Sequence, residues 1–218
     1  MKRKSIDEAF AQDLINIALT SGAKDALMIS TEKIIIDPRV RLKCLVPPCN
    51  MSGICKNCPP YGLSHEQTMR KVNKHNNALF FHVEVDSKFI AEQEIGDAFR
   101  EYKMDKSGKL LVLGAHQLLV FQIVALIEKR LNELGYKPSG YVAGACKELL
   151  CFLHDDCVMI AAKKPCRHQD ISRPSMESCG MDVFSMAAEV GWDIYPIGRN
   201  LHQNDVPKGL LAGLVLVN

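Results

Sequence analysis

Eight of the nine cysteines fall into two compact groups. The first is Cys44, Cys49, Cys55 and Cys58, and the second is Cys146, Cys151, Cys157 and Cys166. Both open with the same C-x4-C-x5-C spacing. Thiolate is a soft, strong ligand for iron and zinc, so four of them within about 20 residues can converge on one metal centre. Two such groups point to two centres.

Three chemistries use cysteines in this way. A [4Fe–4S] cluster takes four thiolates, and ferredoxin-type sites place proline directly after a ligand, as in Cys58-Pro59-Pro60. Structural zinc uses paired Cys-x2-Cys knuckles, of which Cys55-Lys56-Asn57-Cys58 is one. The same pair is also the candidate for metal-free redox thiols. The working expectation is iron–sulfur, with two [4Fe–4S] clusters and with zinc as the alternative. Sequential grouping is the default ligand assignment. Crossed sets are the alternative, with Cys166 completing Cys44, Cys49 and Cys55, and Cys58 completing the second triad, as between the two runs of two-cluster ferredoxins. Cys179 reads as a buried thiol at a helix start. His154 and His168 lie within or just after the second group and read as neighbours of the centre or surface residues. Arg173 is a candidate anion binder, against the plainer reading that Arg173 and Glu177 fix the loop after Cys166.

The elements that must position these thiols follow from periodicity and turn residues. Helices are expected over 6–21, 64–75 (capped by Ser64), 89–101, 114–135 and 181–190 (capped by Asp182). Strands are expected at 26–29, 34–36, 78–85, 141–142, 192–196 and 210–217. Leu79, Phe81, Val83 and Val85 should share one face. The first cysteine loop contains Pro47, Pro48, Gly53, Pro59, Pro60 and Gly62, which exclude a regular helix or central strand there. The fold class is therefore α/β, with α+β as its variant: a sheet flanked by helices, forming one unit over 1–218. Cysteine-rich loops at 40–62 and 144–180 are inserted in it.

Composition narrows the function classes. A formal net charge of +2 without a basic stripe gives no basis for nucleic-acid binding. The longest apolar run, Leu110 to Ile127, is interrupted by His116, Gln117 and Gln122, so no membrane span is expected. Asp7, Glu8 and Asp13 occupy the place of a signal peptide's apolar stretch. The expected location is the cytoplasm, where clustered cysteines serve metals or redox chemistry. Walker A, G-x-G-x-x-G, H-E-x-x-H and G-x-S-x-G motifs are absent from the sequence.

Three stretches carry a family resemblance. Residues 166–183, running from Cys166-Arg167-His168 through Arg173-Pro174-Ser175-Met176-Glu177 to Cys179-Gly180-Met181-Asp182-Val183, resemble the C-terminal signature of the DUF2284 family of predicted metal-binding proteins. Residues 40–49, closing with Cys58-Pro59-Pro60, resemble its N-terminal motif, and Gly144-Ala145-Cys146-Lys147 is similar to the stretch ahead of its second group. The resemblance implies cysteine-bound metal, of iron–sulfur type, in an anaerobic prokaryotic setting. It implies no reaction. The function expected is electron transfer to a redox partner protein, or reductive activation of a partner enzyme. The alternatives are an iron–sulfur enzyme with an open iron site for a small substrate, and a zinc-stabilised binding module.

Overall fold

The computed structural model describes residues 6–90, 108–197 and 203–217. Four strands form its sheet: β1 (Asp25–Ser30), β2 (Asn77–Asp86), β3 (Ser139–Tyr141) and β4 (Lys208–Val217). Their order is β1-β2-β4-β3, and every pair is antiparallel. Helices and sheet share one fold as the α/β class expects, and the antiparallel pairing makes it the α+β form.

The two central strands pair along their full ten residues, from Asn77↔Val217 to Asp86↔Lys208. Both of their faces are covered. Leu79, Phe81, Val83 and Val85 of β2, with Val215 and Val217 of β4, face one core. Ala78 and Phe80, with Ala212, Leu214 and Leu216, face the other. A strand covered on both faces reads as a continuous apolar run, as Leu210 to Val217 does. Gly213 sits opposite Phe81, and a Cβ there would lie 2.4 Å from the ring's Cζ, so glycine makes room for the aromatic ring.

The first core is closed by α1 (Glu8–Thr20) and by a long helix, α4 (Lys109–Glu133). Asp7 caps α1 by accepting from the Phe10 N–H at 2.8 Å. The second core is closed by α3 (His65–Val72), α7 (Val183–Glu189) and Trp192. Ser64 and Gln67 form a reciprocal capping box on α3, and Asp182 caps α7. Three short helices belong to the cysteine loops: α2 (Pro38–Leu42), α5 (Cys146–Leu150) and α6 (Val158–Ala161).

Several expectations change. Residues 34–36 make only an isolated bridge, Ile36↔Met181, and 192–196 form no strand, although Trp192 packs against Phe80 with ring centroids 4.6 Å apart and the rings tilted by 32°. Apolar runs this short pack equally well as irregular chain. Most of the helix expected at 89–101 lies outside the described residues. Helix α4 starts five residues earlier than its periodicity suggested, after Gly108 at φ +74°. By length and composition α4 is apolar enough to cross a membrane, with mean hydropathy 2.2 over its most apolar window. Three uncharged polar residues lower that average too little to break the run. A third of that window is buried inside the fold, and Val120, Phe121, Ile123, Val124, Ile127 and Leu131 all join the first core.

His82 points into the second layer from β2. It meets Trp192 edge-on at 4.4 Å, and its Nδ1 is buried without a hydrogen-bond partner. Desolvation holds its pKa below the ordinary histidine value, against the opposing pull of Glu84 and Asp25. The folded chain therefore refuses a proton that the unfolded chain accepts from about pH 6.5 downward. The His82 contribution to stability should fall as pH drops from 7.5 to 5.5, against the opposite contribution of Glu148, whose buried carboxyl is raised to about 7. His82→Phe, which keeps a ring against Trp192, should remove the His82 part, so that going from pH 7.5 to 5.5 costs the variant less stability than the wild type. Urea midpoints at the two pH values check this, and an unchanged cost in the variant would refute the assignment.

Candidate metal centre

The two cysteine loops are drawn together by backbone pairing at their roots. The Asp37 N–H donates to the Gly180 carbonyl at 2.8 Å, and the Asp182 N–H to the Ile35 carbonyl at 2.8 Å. Arg41 Nε donates to the Ser178 carbonyl at 3.2 Å. The start of the first loop is thus fastened to the end of the second.

A second fastening lies at the sheet edge. Past β3, the Val142 N–H donates to the Pro174 carbonyl at 3.1 Å, and the Met176 N–H to the Val142 carbonyl at 3.0 Å. Arg173 is fully engaged. Its Nε donates to Glu128 Oε2 at 2.5 Å, Nη1 to the Gln169 and Ser172 carbonyls, and Nη2 to the Asp170 carbonyl. Glu128, on α4, also accepts the buried Gly140 N–H at 2.7 Å. The plainer reading of Arg173 therefore holds: it clamps the loop after Cys166 to α4 and β3. Glu128 carried no signal in the sequence, since an isolated glutamate on a helix usually faces solvent.

Within the second loop, Cys146 opens α5, Cys151 follows its last turn and Cys157 precedes α6. Lys147 Nζ donates to the carbonyls of Cys151 and His154, pinning the turn between them. Arg167 Nη1 donates to the Asp156 carbonyl at 3.0 Å. These contacts hold Cys146, Cys151, Cys157 and Cys166 around one cavity with about 270 Å³ of empty space, its open mouth included.

Cys55 of the first group lines the same cavity, together with Lys147, Leu150, His168 and Ser172. Its Sγ lies 3.4 Å from that of Cys146. Asn57 Nδ2 reaches the Cys146 sulfur at 3.5 Å and Ser172 Oγ at 3.0 Å. The His168 N–H donates to Cys166 Sγ at 3.4 Å, and His168 Nε2 is buried without a partner. His154 is exposed.

The other three first-group cysteines do not line this cavity. Cys58 is buried in the first core near Cys55, Cys44 is half-buried and Cys49 is exposed. Cys44 is in electrostatic range of Cys49, Glu177 and Cys179. Cys179 is fully buried, as expected, but in a 3-10 turn (Glu177–Cys179) ahead of α7. Among the described residues, no three His, Cys, Asp or Glu side chains meet closely enough to share one metal ion. The thiols ring a space instead of converging on a point.

All nine cysteines are free thiols. Burial pushes Cys44 and Cys179 up to about 11, and it also raises Cys151. For Cys55 the Cys146 contact lowers the pKa, but the Cys58 contact and burial outweigh it and leave about 12. Cys146 is raised by its contact with Cys55 and then by burial. Neutral thiols pack side by side without repulsion, and a metal bound there must displace their protons. Burial also lifts Glu148, on α5, to about 7.

A family model described as DUF2284, predicted metal-binding protein, matches residues 27–217. The chain belongs to the DUF2284 family. The match spans both cysteine loops and all but the first two residues of the sheet, so metal binding is the family's predicted property for the region described above. No curated protein and no solved structure matches the chain.

Proposed function

We propose that this DUF2284 protein is an iron–sulfur electron carrier with two [4Fe–4S] clusters, working in the cytoplasm of an anaerobe. It would act with a redox partner or in reductive activation of a partner enzyme. One observation carries the reading: five cysteines surround a single cavity, yet no three of them close on a shared point. A polynuclear cluster needs thiols spread around a volume, whereas a structural zinc ion needs four thiols about 2.3 Å from one atom. When bound, such a cluster supplies reversible one-electron chemistry.

The chain's own residues would hold and tune it. Cys146, Cys151, Cys157 and Cys166 present sulfur to the cavity. Donors already address those sulfurs, from Asn57 to Cys146 and from the His168 backbone to Cys166. N–H donation to ligand sulfur stabilises the more negative, reduced state and raises the potential. Cys44, Cys49 and Cys58 belong to the other centre, nearer the surface at Cys49. Exposed Phe152 and Leu153 directly follow Cys151, giving a partner apolar contact beside a ligand.

Anaerobic purification followed by iron, sulfide, zinc and visible-absorption measurements tests the proposal. Two clusters predict about eight iron and eight sulfide per chain and a brown protein bleached by dithionite. Stoichiometric zinc without sulfide or colour would refute it and leave the zinc-stabilised module.

A further inference from the structure

Sequential grouping assigns Cys55 to the first centre, with Cys44, Cys49 and Cys58. In the fold it keeps a contact with Cys58 and also reaches the second group. Cys55 is 1% exposed and lines the cavity with all four cysteines of the second group. Its sulfur meets that of Cys146 at 3.4 Å, with no atom between to separate the two groups. Cys44, Cys49 and Cys58 are absent from that lining.

Cys55 does not reach across alone. Asn57, two residues on, sends its side-chain amide to the Cys146 sulfur and to Ser172 Oγ. The Asn57 carbonyl in turn accepts from Ser178 Oγ at 3.3 Å. The segment 55–57 is therefore held against the second loop by three polar contacts, each made across at least 89 residues of sequence. The geometry also differs from the crossed sets that the spacing alone suggests. It is the third cysteine of the first run that changes sides, while Cys166 stays with its own group.

We infer that Cys55 is a thiol of the second metal centre, so that this centre takes its four thiolates from the five cysteines that line the cavity, Cys55 among them, and staples the two loops together. The inference rests on the second group being a metal centre, and it holds for iron or zinc alike. One consequence concerns the first centre, which keeps Cys44, Cys49 and Cys58 from its own run. Another concerns distance: Cys55 is bonded through two intervening residues to Cys58, so the centres are joined by a stretch of only four residues.

Double variants separate the assignments without knowing which metal is present. Cys55→Ala, Cys146→Ala and Cys44→Ala are prepared anaerobically, with the pairs C55A/C146A and C44A/C55A, and total iron and zinc per chain are counted. If Cys55 serves the second centre, C55A and C146A each keep about half the wild-type metal, and C55A/C146A loses no more. C44A/C55A then loses nearly all. The inference is overturned if C55A/C146A loses all the metal while C44A/C55A keeps half. It is equally overturned if C55A retains the full complement, or if C55A alone loses everything while C146A keeps half.

A second measurement covers a C55A chain that does not fold. C44A protein is treated, with and without its remaining metal, with the azo oxidant diamide. In the metal-free protein the Cys55 and Cys146 thiols give up two electrons and two protons to the azo bond and become a disulfide, read by peptide mapping. Metal in the second centre should block that cross-link and also shield Cys55 itself, so that iodoacetamide labels Cys55 in the metal-free protein and not in the loaded one; Cys55 labelled equally in both would overturn the inference. Acid-labile sulfide, measured on the same samples, judges the cluster reading separately: zinc without sulfide would end that reading and leave the Cys55 assignment to the counts.

Discussion

Glu128→Ala should cost about 3–5 kcal/mol, the usual penalty for removing one partner of a buried ion pair. The pair is well covered, with the Glu128 side chain 9% and that of Arg173 20% exposed. Alanine would strand two groups at once. Arg173 Nε would lose its carboxylate partner, and the Gly140 N–H, on edge strand β3, would lose its acceptor. A domain's whole stability is about 5–15 kcal/mol, so this one change removes a large share. Because Arg173 also gathers the carbonyls of Gln169, Asp170 and Ser172, the loop carrying Cys166 should loosen with it. The variant should show a lowered urea midpoint and reduced retention of metal in the second centre. Glu128→Gln keeps an acceptor for Gly140 and should fall between. Full metal retention in E128A, with wild-type stability, would mean that the clamp does not support the site.

Cys157→Ala and Cys166→Ala should each empty one centre completely and leave the other filled. Both thiols line the same cavity, and a cluster bound by four thiolates loses a ligand bond when one of them is removed. Half of the wild-type metal should remain in each variant, and the pair together should lose no more than either alone. Metal-binding energy is also folding energy, so both variants should melt at a lower temperature than the loaded wild type. Differential scanning calorimetry with metal analysis reads both effects. A C157A chain with undiminished metal would remove Cys157 from the ligand set.

These two expectations come from different sources. The cysteine pair was named by spacing, because thiols clustered within a short loop are a local pattern. Glu128 and Arg173 are 45 residues apart: Arg173 was legible as a residue that fixes the loop after Cys166, but nothing in the sequence distinguishes Glu128, its partner, from a solvated helix glutamate. Only the packing of α4 across the sheet brings the carboxylate to β3 and the second loop.

The sequence by itself determined the helices with caps and clear periodicity, the two long apolar strands and the membership of the two cysteine-rich loops. Local rules suffice for each: Ser64 and Asp182 satisfy orphan N–H groups, and alternation assigns Leu79 and Phe81 to one face. The family motifs likewise lie in continuous stretches. The tertiary structure decided what depends on contacts between distant segments. The antiparallel order β1-β2-β4-β3 is one, since strand pairing is set by long-range register. The fate of residues 34–36 and 192–196 is another, because short apolar runs take whatever conformation the core around them allows. The set of thiols that lines the cavity is the third. Sequence spacing measures distance along the chain, and Cys55 is 91 residues from Cys146 by that measure and 3.4 Å from it in space.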